Sequence, residues 1–135
     1  MSLNRKFGYL FGAVYAAIGL VGFAITMGVG FAETDGKRLI FFEINPLHNI
    51  IHLAVGALLI GGAAAGARVS SAVNSVVGAV YLLVGLIGLA IVDSDSNILA
   101  LNQADNVLHL ATALLALTVG LGGERLVGAP EARST

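Results

Sequence analysis

Four long runs of apolar residues, broken by short polar stretches, set the pattern of this chain. They run from about Phe7 to Val29, Pro46 to Ala67, Ala72 to Val92 and Gln103 to Gly122. A helix that crosses a bilayer needs about 20 consecutive apolar residues, within a range near 17–25. Each run meets that length, and together they leave no stretch for a separate soluble domain. The pattern predicts an all-α integral membrane four-helix bundle, a single domain over residues 1–135. Arg5 and Lys6 ahead of the first run imitate the order of a signal peptide. That run is long enough to span, and a near copy of it recurs inside the chain, so it is read as a retained helix.

The runs repeat in pairs. Gly12–Ile25 reads GAVYAAIGLVGFAI and Gly78–Ile91 reads GAVYLLVGLIGLAI, with nine of fourteen positions identical at an offset of 66. Asn45, Asn49, His52, Leu53 and Ala54 recur as Asn102, Asn106, His109, Leu110 and Ala111, at an offset of 57. The difference of 9 makes the first inter-helix loop longer than its counterpart. The expected architecture is two duplicated helical hairpins, repeat one over about 7–67 and repeat two over about 72–122. Two spans return the chain to its starting side, so the hairpins point the same way. Their expected relation is a pseudo-two-fold axis along the membrane normal.

Composition narrows the class further. Of the 135 residues, 57% are hydrophobic and only 11% are charged, against roughly 25% charged in a soluble domain. Mean hydropathy is +0.91. The lipid bilayer is therefore the first expected partner. A net charge of −1 argues against nucleic acid, whose binders carry a basic face. Without cysteine there is no disulfide, cysteine-ligated metal or thiol nucleophile.

Charge placement predicts a multi-pass protein of the cell membrane with both termini cytoplasmic. Arg5, Lys6, Arg68, Arg125 and Arg133 fall on one side, and only Lys37 and Arg38 on the other, which is the bias of the positive-inside rule.

The polar residues within the spans carry the candidate chemistry. Asn45 is a fitting N-cap with Pro46 at the first helical position, and Asn102 caps the fourth span in the same way. Asp105 falls at the third helical position, where a carboxylate suits a helix N-terminus. Asn49 and His52 are three apart, as are Asn106 and His109, so each pair shares a helix face. Each histidine lies about 10 Å along its helix from the cap, a depth at which Asn and His need protein partners. One reading is an interhelical polar cluster of Asn49, His52, Asn106 and His109. It would link the second and fourth helices or reach the glycine-rich helices beside them, at about 0.6 and seldom above about 1.7 kcal/mol per bond. A second reading is a ligand site: a haem held between His52 and His109, or a divalent metal on His48, His52, Asp105 and His109. A proton path is disfavoured, because no acid lies deep in any span. Gly8 with Gly12, and Gly62 with Gly66, form small-xxx-small pairs suited to close helix packing. Tyr15 and Tyr81 lie deep enough to bond within the bundle.

The runs Asn45-Pro46-Leu47-His48-Asn49-Ile50-Ile51-His52-Leu53 and Asp105-Asn106-Val107-Leu108-His109-Leu110, with the paired Gly-Ala-Val-Tyr helices, give the chain a family likeness. It resembles the bacterial four-helix membrane proteins grouped as domain of unknown function 4383, over nearly all of its length except the tails. The resemblance implies four spans and brings no catalytic residue with it.

No phosphate loop, dinucleotide fingerprint, HExxH or GxSxG elbow is present, so the chain is expected not to be an enzyme. The leading expectation is a structural or accessory subunit, packed on itself or on other membrane protein subunits. A haem- or metal-binding protein is the alternative. The first loop, roughly Thr26–Ile44, holds the apolar Leu39-Ile40-Phe41-Phe42 stretch. It is expected as an interfacial anchor, or else as a partner-docking surface or a lid over the Asn–His cluster.

Overall fold

The computed structural model describes residues 1–126, so Arg133 lies outside the described residues. Four helices form the body: α1 (Leu3–Ile25), α2 (Pro46–Ala65), α3 (Ala67–Ile91) and α4 (Gln103–Leu126). All four are long and apolar enough to cross a membrane. Between α1 and α2 lies a hairpin of β1 (Lys37–Leu39) and β2 (Phe42–Ile44), paired antiparallel with Lys37 opposite Ile44.

The helix ends follow from local chemistry and shift the expected boundaries. α1 starts at Leu3, where the Ser2 hydroxyl accepts from the Arg5 N–H. It stops at Ile25 and not near Val29, because the chain turns away ahead of Gly28, whose φ of +83° cannot continue a right-handed helix. α3 begins at Ala67, five residues ahead of the expected Ala72, and the link from α2 shrinks to Gly66. Gly66 has φ +127°, a conformation side chains rarely adopt. Its role is therefore a turn, not the packing contact its spacing with Gly62 suggested. Arg68 moves from a loop into the first turn of α3.

α1 packs most extensively on α2, and α3 on α4. Backbones approach because glycines face the partner. A Cβ at Gly12 would sit 2.9 Å from the Gly56 carbonyl oxygen, and one at Gly78 would sit 2.8 Å from the Leu117 nitrogen. Close approach of this kind replaces the hydrophobic effect as the cohesive term between helices in lipid. Tyr15, Leu59, Val77, Tyr81 and Ala113 form the central packed cluster. Leu10, Leu20, Leu58, Leu83, Leu86 and Leu114 are exposed and present the apolar outer surface a bilayer requires.

Candidate functional site

Both expected caps form, and each does more than end a helix. The Asn45 Oδ1 accepts from the His48 N–H at 2.9 Å. Its Nδ2 donates to the carbonyls of Glu33 and Ile98, each at 2.8 Å, tying together the two inter-helix loops at that end. At α4 the cap is reciprocal. The Asp105 N–H donates to Asn102 Oδ1, and the Asn102 N–H donates to Asp105 Oδ2, both at 3.0 Å. This is the capping-box arrangement. The same Asp105 oxygen accepts from the Glu43 N–H at 3.0 Å, and Asn102 Nδ2 donates to the Phe41 carbonyl at 2.9 Å. The β1–β2 hairpin is thus bolted to the start of α4.

The residues expected to form one interhelical cluster divide into two groups. The asparagines do not bond to each other. Asn49 Nδ2 donates to Thr26 Oγ1 at 3.0 Å, and its carboxamide fills the space above Gly22, where a Cβ would overlap it. Asn106 occupies the matching space above Gly88. The position matching Thr26 is Val92, so neither polar atom of the Asn106 side chain finds a partner. The histidines, by contrast, converge. His52 and His109 come together with His48, and one ring nitrogen from each lies within 4.8 Å of the others. Asp105, the fourth expected ligand, is not in that group; its carboxylate is committed to the cap and the hairpin.

The three imidazoles are buried, at 2% exposure for His48, 8% for His52 and 7% for His109. The Nδ1 of each lacks a hydrogen-bond partner. The His48 and His52 ring centroids are 4.4 Å apart, and those of His48 and His109 are 6.0 Å apart. Two tyrosines bracket the group in matching fashion. Tyr15 lies 5.3 Å from His52, Tyr81 lies 5.0 Å from His109, and the tyrosine rings are 5.4 Å from each other. The tyrosines were legible as deep polar tips, but not as walls of the histidine group. The usable signal was that Tyr15 and Tyr81 repeat alongside His52 and His109.

Two apolar cavities flank this centre. One of about 280 Å³ lies between α1 and α4 beneath the hairpin, with Tyr15, Ile18, His52, Asp105, Leu108 and His109 in its wall. The other, of about 160 Å³, lies between α2 and α3 and is walled by Tyr81, Val84, His109, His48, Ile51 and His52. These two sets correspond one for one under the sequence offsets of 66 and 57. Leu39, Ile40, Phe42 and Ile44 of the hairpin and its flank line only the first.

The family model described as domain of unknown function (DUF4383) matches residues 5–122. The chain belongs to that family. Its members' description carries no activity, and the match covers all three histidines, both tyrosines and both cavities. No curated protein and no solved structure matches the chain.

Proposed function

We propose that this four-helix membrane protein binds one divalent first-row metal ion on His48, His52 and His109. The observation that carries the reading is the convergence of three buried imidazoles whose ligand nitrogens lie within 4.8 Å of one another. Buried polar atoms without partners are costly, and most of all in a bilayer, where water cannot compensate. A metal ion answers that cost, because neutral imidazole is a ligand for zinc, copper, iron and nickel. Three histidines with an open fourth position are the ligand set of a catalytic or transport site more than of a closed structural one. Asp105, one helical turn from His109 and in the wall of the larger cavity, supplies negative charge near the ion. A haem between His52 and His109 fits less well. It would need its two axial rings on opposite faces of a macrocycle, whereas His48 lies in ring contact with both.

The site's likeness from one half of the chain to the other supports an origin by duplication of a helical hairpin. The orientation we propose is both termini cytoplasmic in the cell membrane, which puts the hairpin and the histidines toward the outer face.

Metal content of protein purified in mild detergent tests the reading. Elemental analysis is expected to give about one ion per chain, or Co(II) titration to give tetrahedral absorption bands that are lost in His52→Leu and His109→Leu. Colourless protein that retains no Zn(II), Co(II), Ni(II) or Cu(II) would overturn it. Metal-free protein that co-purifies with other membrane subunits would instead favour the structural or accessory role.

A further inference from the structure

The larger cavity has a polar end and an apolar mouth. Tyr15, Ile44, His52, Asp105 and His109 are buried, whereas Ala17, Val21, Ile40 and Leu108 in the same wall are exposed. In a bilayer that mouth, between α1 and α4, opens on lipid. The volume of about 280 Å³ compares with about 150 Å³ for an apolar cavity that holds benzene. It is the room for roughly two aromatic rings.

Three features separate this space from a packing flaw. Its wall carries two imidazoles and a carboxylate, those of His52, His109 and Asp105, and a packing void is normally apolar all round. The hairpin, which closes one side, comes from the longer loop that only the first half of the chain possesses. The matching cavity, without that hairpin, has little more than half the volume. Finally, Ile40 lines the cavity with φ +62°, a left-handed conformation that is costly for a β-branched residue. Glycine or asparagine would turn the hairpin more easily there. Backbone strain of this kind is found at ligand clamps and active sites.

We propose that this cavity binds a lipid-borne fused-ring compound bearing a carbonyl or hydroxyl oxygen, of the quinone or phenol class. Its rings lie between Ile18, Leu108 and the hairpin, and its oxygen faces His52 and His109. Neutral imidazole both donates and accepts hydrogen bonds, so either oxidation level of such a head group can be met. Tyr15 and Phe42 offer ring faces and edges for aromatic contact. The metal reading enters only at the polar end, where the oxygen would approach the open position of a bound ion; the apolar part of the site stands without it.

The test is native mass spectrometry of the full chain released from detergent, with 1,4-naphthoquinone as probe. The chain has no cysteine, so the probe has no thiol to alkylate. A single 1:1 adduct is expected. Naphthalene, which lacks the oxygens, and decanol, which lacks the rings, should each bind at least tenfold more weakly. Ile18→Trp and Leu108→Trp fill the cavity from opposite walls, and either folded variant should lose at least tenfold in probe binding. Equal binding of naphthalene or decanol, or full binding in a folded tryptophan variant, overturns the proposal. Metal content measured on the same samples keeps the two readings apart. Probe bound to metal-free protein defeats only the metal site, and metal without probe defeats only the cavity ligand.

Discussion

The Nδ1 atoms of the three imidazoles lack partners, although His48 also bonds the backbone of Leu99 and Glu43, and His109 that of Asp105. A hydrogen-bonded clamp and a ligand site therefore predict opposite stability effects. A buried polar atom left unpaired costs about 1–3 kcal/mol, while an apolar group of similar shape relieves that cost. His109→Leu is expected to stabilise metal-free protein by about 1 kcal/mol or more, while abolishing metal retention. Thermal unfolding in detergent, with and without chelator, measures both. Loss of stability in the metal-free variant would return His109 to a structural role. Asn49 behaves differently, because it has a partner. Asn49→Ala and Thr26→Val should couple by about 0.5–1.5 kcal/mol in a double-mutant cycle, in the range for bonded neighbours in membranes. The same cycle between Asn49 and Asn106 should be additive, since the two side chains make no bond to each other. The sequence showed that Asn and His share a face. It did not show that a three-residue step turns Asn49 toward Gly22 while His52 turns toward His109. Only the placement of α1 and α3 beside α2 and α4 separates those directions.

The elements of the bundle are keyed together by side chains seated over glycines. Asn106 fills the space above Gly88 so fully that a Cβ there would overlap its carboxamide. Gly88→Ala is expected to destabilise by about 1–3 kcal/mol, the usual range for overpacking. Asn106→Ala in the same chain should restore part of that loss, because it vacates the contested space and removes an unpartnered amide. Failure of the second change to compensate would mean that the clash lies with Leu101 and not with Asn106. Helix identity, number and caps were legible because run length, Pro46 and the capping asparagines are local signals. The loop between α1 and α2 was legible only as apolar and long. Its strands are three residues each, too short for an alternating pattern, and its turn uses Ile40 and Phe41 where a hairpin ordinarily uses glycine or asparagine. The hairpin is fixed over the bundle by Asn102 and Asp105, as a cover would be, while Ile40 at 73% and Phe41 at 72% exposure form an apolar tip. Ile40→Gly should therefore stabilise the turn, by about 1 kcal/mol in a left-handed position, and still enlarge the cavity mouth.

At the scale of the whole molecule, polarity is unevenly divided between the two ends of the bundle. The hairpin end holds the two cap systems and the acids Glu33, Asp35, Glu43, Asp93 and Asp95. The opposite end holds Arg5, Lys6, Arg68 and Arg125 at helix termini, with Asn74 Nδ2 donating to Asn4 Oδ1 at 2.9 Å between α3 and α1. Helix direction makes this a single decision: α1 and α3 start at the basic end, α2 and α4 start at the hairpin end, and one loop's side fixes all the others. Short basic flanks near the spans bias insertion so that they stay cytoplasmic, whereas acids contribute little. In the proposed orientation the histidine centre and the mouth of the larger cavity would sit in the outer half of the membrane, nearer the extracellular surface than the cytoplasm. Because the chain has no cysteine, single cysteines report on side without background. Asp95→Cys, exposed in the loop between α3 and α4, is expected to react with an impermeant maleimide in intact cells. Ala67→Cys, exposed at the Gly66 turn, should react only after the membrane is opened. The reverse pattern would turn the molecule over and place the histidines on the cytoplasmic half, where any bound ion would be drawn from the cytosolic pool. Labelling of both positions in intact cells would mean that the charge bias is too weak to set one orientation.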